Sequence, residues 1–113
     1  MKTKTPLFVA GSLILAMIAL GPAHAADAAQ AEALLKANKC TKCHDVTKTK
    51  SGPAFKKVAE KYKGKADAEA GLVKFLSTGP TIKNDDGSED KHKVIKAKDD
   101  AETKNLVQWI LSQ

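Results

Sequence analysis

The sequence predicts an all-α fold of about four helices in a single small domain. Apolar residues recur at helical spacing in four segments, and each segment is bounded by a residue that caps or ends a helix. No segment shows the strict alternation of apolar and polar residues that is typical of a half-buried strand. The chain has 113 residues, which is too short for more than one domain.

The first helix is predicted over about 28–39. Asp27 precedes it and can cap it, because an aspartate side chain accepts a hydrogen bond from a first-turn amide. Its apolar face consists of Ala31, Leu34 and Leu35. The run Cys40-Thr41-Lys42-Cys43-His44 comes at the end of this helix, and residues 45–51 are polar and indicate a loop.

The second helix is predicted to begin at Gly52-Pro53. Proline suits the first helical turn, where its missing N–H leaves no intrahelical bond unmade. The apolar stripe of this helix consists of Phe55, Val58, Ala59 and Tyr62. Gly64 is a natural stop, because glycine readily adopts the left-handed conformation that ends helices.

The third helix is predicted after Asp67, which can cap it, and ends at Gly79-Pro80. Its shared face consists of Ala68, Leu72, Phe75 and Leu76. Residues 81–98 follow without periodicity, apart from a turn signal at Asp86-Gly87. A loop of this length in a compact domain is usually functional.

The last helix is predicted after Asp99. Glu102 stands three residues later, and the pair resembles a capping box. The inner side of this helix consists of Leu106, Val107, Trp109 and Ile110.

Residues 1–25 have the order of a secretory signal peptide. Lys2 and Lys4 precede an apolar stretch, and Ala23-His24-Ala25 supplies the small residues of a cleavage site. A retained membrane anchor is the alternative, but the stretch is short for a span of roughly 20 residues. We therefore expect an exported, periplasmic protein without stable membrane insertion, in which residues 26–113 form the mature domain.

The chain carries 19 basic residues, all of them lysine, and 13 acidic ones. Arginine, the residue suited to bidentate recognition of phosphates and bases, is absent, so nucleic-acid binding is not expected. Lysine charges suit salt-sensitive steering toward an acidic partner. An ordinary solvated surface explains the same charges equally well.

The run from Cys40 to His44 indicates covalent haem attachment. Two cysteines three apart on a helical turn present their sulfurs on the same side, where both can form thioethers with one edge of a haem. The adjacent His44 can then bind the iron. A disulfide, a redox dithiol and half of a zinc site are the alternatives, but the dithiol calls for a βαβ context and zinc for four ligands.

The chain resembles a small bacterial class I cytochrome c over most of residues 26–113. The resemblance rests on the attachment run, on Gly52-Pro53-Ala54-Phe55 and on the closing segment 106–112. It implies a cytochrome c fold, in which the helices wrap around one covalently attached haem c and the first and last helices pack together. It also implies that Gly52, Pro53, Phe55 and Trp109 lie beside the haem, and that the Pro53 carbonyl orients His44.

The sequence departs from this family at the sixth iron ligand, which is usually a methionine before the last helix. The chain's two methionines, Met1 and Met17, both lie in the expected signal peptide. His92 stands in the corresponding segment, and imidazole is a strong haem ligand. We therefore expect His44 and His92 as the axial pair. The other candidates are Lys91, Lys93, Asn84 and water.

The function that these features indicate is one-electron transfer by a monomeric, low-potential haem carrier, not an enzyme, because two filled axial positions leave none for substrate. Its expected partners are redox proteins with acidic docking surfaces. The alternative is a haem-based binder or sensor of NO, CO or O₂, in which the sixth ligand dissociates.

Overall fold

The computed structural model describes residues 25–113, and the predicted signal peptide lies outside them apart from Ala25. The described part consists of four α-helices and a small β-hairpin, so the prediction of about four helices is confirmed. The elements are α1 (Ala28–Ala37), α2 (Phe55–Tyr62), α3 (Ala68–Thr78), β1 (Thr81–Lys83), β2 (Glu89–Lys91) and α4 (Asp100–Leu111).

Helices α1 and α4, the first and the last, pack together. Asp27 caps α1 as predicted, since its carboxylate accepts a hydrogen bond from the Gln30 amide at 3.0 Å. The Asn105 side chain of α4 pairs with the backbone of Asp27, accepting from its amide at 2.8 Å and donating to its carbonyl at 2.9 Å. These bonds fix the start of α1 against the middle of α4.

Helix α1 ends earlier than the apolar pattern predicts, at Ala37 instead of about residue 39. Asn38 is its C-cap, and Lys39 follows with φ = 55°, the only positive φ of a non-glycine residue in the described chain. A left-handed residue cannot continue an α-helix. Cys40–Lys42 therefore forms a separate turn of 3₁₀ helix.

Helix α2 begins at Phe55, two residues after the predicted start at Pro53. Ala54 is its N-cap, with extended backbone angles of φ = −59° and ψ = 143°. The helix ends at Tyr62, close to Gly64, whose φ of 75° matches the predicted stop.

Helix α3 shows that a suitable residue at the cap position is not sufficient for capping. Asp67 makes no side-chain cap hydrogen bond, because its φ of −95° and ψ of 6° differ from the extended angles that aim such a side chain at the first turn. The predicted cap is wrong, although the helix begins directly after it. The predicted end is confirmed, since Gly79 is the C-cap with φ = 57°.

Residues 81–98 are not a wholly irregular loop. Strands β1 and β2 pair antiparallel in the register Thr81–Lys91, Ile82–Asp90 and Lys83–Glu89. Gly87, with φ = 84°, lies in the predicted turn between them. The strands have three residues each, and only Ile82 among them is partly buried, so no apolar alternation marks them in the sequence.

The core lies where α1, α2 and α4 meet. Its buried residues are Ala31, Leu34, Leu35, Phe55, Leu106, Trp109 and Ile110. Val58, Leu76 and Ile95 are partly buried and pack against it, so α3 and the segment after the hairpin join the same core. Within residues 25–113, none of the helices has the length and apolar character needed to cross a membrane.

Candidate functional site

The imidazole of His44 is held by the turn that follows the attachment run. Its Nδ1 lies 2.7 Å from the carbonyl oxygen of Pro53, and because a carbonyl only accepts, Nδ1 carries the proton. Gly52 lies directly beside the same ring. A Cβ at this position would stand 2.8 Å from Nδ1 and 2.9 Å from Nε2 of His44, so glycine makes this close approach possible.

Backbone hydrogen bonds fold residues 45–52 back onto the attachment run. The Gly52 amide donates to the Cys43 carbonyl at 2.8 Å, and the Phe55 amide donates to the Asp45 carbonyl at 2.9 Å. The Asp45 carboxylate accepts from the amides of Thr47 and Lys48, and these bonds hold the pKa of that carboxyl below its usual range. This turn brings Pro53 and Gly52 to the His44 ring.

The two cysteines lie on one tight turn. The Cys43 and His44 amides both donate to the Cys40 carbonyl, at 3.2 and 3.0 Å, and residues three apart in a 3₁₀ turn lie nearly over one another. Cys40 and Cys43 are not joined as a disulfide. Burial raises the pKa of the Cys40 thiol, and the positive charge of Lys93 partly opposes that rise.

His92 follows β2 and is held by α3 and the residues around it. Its amide donates to the Pro80 carbonyl at 2.9 Å, and its Nδ1 donates to the Lys93 carbonyl at 2.9 Å. A Cβ at Gly79 would overlap the His92 carbonyl oxygen and stand 2.8 Å from Cγ2 of Val94. Glycine at the end of α3 therefore lets the His92 segment pack closely against that helix.

The two imidazoles are neighbours in a row of aromatic rings. The ring centres of His44 and His92 are 6.2 Å apart, with 46° between the ring planes. Phe75 contacts His92 edge-on at 4.8 Å, and Phe55 stacks on His44 at 5.3 Å. Trp109 lies one ring further away and contacts Phe55 edge-on at 5.7 Å.

The structure thus brings together most of the residues that the sequence singled out. Gly52, Pro53 and Phe55 contact the His44 ring, and His92 faces it across the row. Trp109 is a core residue that meets the row through Phe55. That Gly52, Pro53, Phe55 and Trp109 contact a haem stays a prediction.

Asn38 also belongs to this region, although no sequence pattern singled it out. Its side chain is 3% exposed and hydrogen-bonds to the backbone of Lys96, in the segment that follows His92. An asparagine near a helix end looks like an ordinary cap, and its partner lies 58 residues away. No local signal could have identified that pairing.

Comparison with known proteins places this fold in a defined class. The family model for Cytochrome c matches residues 28–113. The class 1 cytochrome MtoD of Sideroxydans lithotrophicus ES-1 superposes with a TM-score of 0.73 at 49% identity, covering 78% of this chain and 97% of that structure. Cytochrome c-551 of Pseudomonas aeruginosa is 37% identical over 88% of this chain and 94% of its own length.

A third similar protein, cytochrome c552 of Nitrosomonas europaea, has 33% identity and a TM-score of 0.59, with 72% of this chain and 96% of that structure covered. These matches define the class as small class I cytochromes. The chain belongs to the cytochrome c family, whose members bind one covalently attached haem c and carry electrons. The predicted fold class and cofactor are therefore confirmed.

The two imidazoles lie close enough together that both would be able to bind one iron ion. A histidine nitrogen binds a metal such as zinc at about 2.0 Å, so two ligating imidazoles would have ring centres separated by several ångströms. His44 and His92 show 6.2 Å. Nδ1 of each ring donates to a carbonyl, which leaves Nε2 of each ring as the nitrogen that can bind iron.

Proposed function

We propose that this protein is a periplasmic one-electron carrier whose haem iron is bound by His44 and His92. The observation that carries the proposal is the pair of imidazoles, with ring centres 6.2 Å apart and Nδ1 of each held by a backbone carbonyl. Cys40 and Cys43 would hold the haem covalently beside them.

The contacts of the competing ligands favour His92. The Lys93 ammonium donates to the Asn38 carbonyl at 2.9 Å. The Asn84 amide donates to Ser88 and Asp90 within the hairpin, at 2.9 and 2.7 Å. Lys93 and Asn84 would have to break these bonds before they could reach an iron bound by His44. The centre of the His92 ring, by contrast, already lies 6.2 Å from the centre of the His44 ring.

Haem iron supplies the exchange of a single electron, and the residues of this chain supply position and tuning. If both His44 and His92 bind the iron, no coordination position would be open to a substrate, which favours a carrier over an enzyme. The Pro53 carbonyl makes His44 a more basic ligand through the bond to Nδ1–H. Methionine ligation raises the potential of cytochromes c, so an imidazole in its place favours a lower one.

The remaining parts of the proposal concern location and partners. The predicted signal peptide over residues 1–25 supports export to the periplasm, where the mature chain would act as a monomer. Lys39 directly precedes the attachment run, and Lys42 lies within it. Both are exposed, so they are candidates for steering an acidic redox partner toward the haem.

The axial pair can be tested on the purified haem protein by absorption and magnetic-resonance spectra, followed by His92→Ala and His92→Met variants. We expect a six-coordinate low-spin wild type and a His92→Ala variant that turns high-spin or takes up an external ligand. The His92→Met variant should gain a sulfur-to-iron band, and its potential should rise by more than about 59 mV, which is tenfold for a one-electron couple.

The control is Lys91→Ala, which removes another candidate ligand and should leave the low-spin spectrum unchanged. A His92→Ala variant that keeps the wild-type spectrum would refute the assignment of His92.

Exposure of the ferrous wild type to carbon monoxide tests the carrier against a gas binder, because only a protein whose sixth ligand dissociates readily will change its spectrum.

A further inference from the structure

Asn38 is a buried asparagine whose amide nitrogen and oxygen both have hydrogen-bond partners. It is 3% exposed and closes α1 as the C-cap. Its Nδ2 donates to the carbonyls of Leu34 and Lys96, at 3.0 and 3.1 Å, and its Oδ1 accepts from the Lys96 amide at 2.8 Å. The side chain thus pairs with both backbone groups of Lys96, much as a neighbouring strand would.

The paired residue belongs to the segment that carries His92. This segment is tied at two points to α3 and to the turn that follows it: the Ile95 amide donates to the Leu76 carbonyl of α3, and the His92 amide donates to the carbonyl of Pro80 just after that helix, both at 2.9 Å. Asn38 is the third point, and it ties the segment to a different part of the molecule. It stands two residues before Cys40, so it connects the His92 segment to the attachment run.

Lys93 strengthens the same connection. Its ammonium donates to the main-chain carbonyl of Asn38 at 2.9 Å, so the residue next to His92 is also fastened to the end of α1. The contacts of Asn38 therefore span the His92 segment from Lys93 to Lys96.

We infer that Asn38 is a positioning residue that slows dissociation of the sixth iron ligand, an inference that rests on the proposed role of His92. For the imidazole to leave the iron, the segment that follows it must move away from the attachment run. That movement breaks the pairing between Asn38 and Lys96 and would leave the buried Oδ1 and one N–H group of the Asn38 amide without partners, which is unfavourable. The asparagine thus holds the distal ligand without touching the haem.

Only a side chain with both a donor and an acceptor at this position can make the pairing. Aspartate would present two acceptors to the carbonyls of Leu34 and Lys96, and leucine would leave the Lys96 backbone groups unpaired. The amide of asparagine satisfies all of them at once.

The test measures how fast cyanide binds to the ferric haem protein at saturating concentration, where release of the sixth ligand limits the rate. We expect Asn38→Ala to speed this step about tenfold or more, a change of about 1.4 kcal/mol in the barrier. If Asn38→Ala does not yield a folded haem protein, Asn38→Ser replaces it, because serine stays polar and small but cannot pair with both groups of Lys96.

Asn105→Ala is the matched control. Asn105 also pairs its amide with both backbone groups of one distant residue, Asp27, at 2.8 and 2.9 Å, but it fastens the start of α1 and not the His92 segment. It should lower the melting temperature while leaving the cyanide rate at the wild-type value. A merely structural role for Asn38 would make the two variants behave alike.

The experiments distinguish failure of the proposed axial pair from failure of the proposed role of Asn38. If His92→Ala leaves the low-spin spectrum unchanged, the proposed axial pair is wrong. If His92→Ala opens the coordination position but the Asn38 variant binds cyanide at the wild-type rate, the axial pair stands and the positioning role of Asn38 is refuted.

Discussion

Replacing Gly52 by alanine should disturb the protein through one contact, with the His44 imidazole. The added Cβ would stand 2.8 Å from Nδ1 and 2.9 Å from Nε2, closer than side-chain carbons normally approach. The ring cannot simply turn away, because Nδ1 donates to the Pro53 carbonyl at 2.7 Å. The substitution therefore forces either a strained contact or the loss of that hydrogen bond.

The expected cost follows from these two effects. Forcing an extra methyl group into a packed site costs about 1–3 kcal/mol, and losing the hydrogen bond instead costs about 1 kcal/mol. We expect Gly52→Ala to lower the free energy of unfolding of the haem protein by about 1–3 kcal/mol, measured by guanidinium denaturation. If the ring moves and Nδ1–H loses its carbonyl, the reduction potential should also rise, because His44 becomes a less basic ligand.

Gly71→Ala is the control for this prediction. Gly71 is exposed within α3, and a Cβ there would meet nothing within 4 Å. The same substitution should stabilise the protein by up to about 1 kcal/mol, because alanine favours a helix over glycine. The reasoning is refuted if Gly52→Ala is as stable as wild type while the nuclear magnetic resonance signal of the His44 Nδ1 proton is unchanged.

Two further predictions concern charge. Hydrogen bonds from the Ser88 hydroxyl and amide hold the pKa of Asp86 below its usual value. Its contribution to stability is thus present above about pH 3.9 and is lost as the pH falls through the lower, folded pKa. The Ser88 amide signal should titrate with a midpoint below that value, and Asp86→Asn should abolish the titration. The second prediction is that Lys39→Gln with Lys42→Gln slows oxidation by ferricyanide, an anion, and that added salt removes the difference. Lys104→Gln, on α4, is the control, and an equal effect there would argue against local steering.

Features fixed by neighbouring residues could be predicted from the sequence. Asp27 and Asp99 cap their helices, since each carboxylate accepts from the amide three residues later. Gly79 ends α3 because its own backbone conformation does so. The predicted cap at Asp67 was wrong because capping depends on backbone angles that the residue type alone does not determine.

The arrangement of the site could be predicted only in part. The run from Cys40 to His44 indicated the cofactor because the two cysteines that can attach a haem and the histidine that can bind its iron all lie within five residues. The position of His92 depends on hydrogen bonds that join separate elements, from its own amide to the Pro80 carbonyl and from the Ile95 amide to the Leu76 carbonyl. The partner of Asn38 lies in another segment altogether, and pairings of this kind appear only once the chain is folded.

The hairpin of β1 and β2 separates the tip of the long connection from the residue that would bind iron. Residues 85–91 are exposed, and the amide of His92 is fastened to Pro80 where the hairpin closes. Insertions or substitutions at the tip of the hairpin should therefore leave the position of His92 unchanged. Such a modular arrangement offers a place where a recognition sequence could be grafted close to the redox centre and new electron-transfer pairs could be engineered.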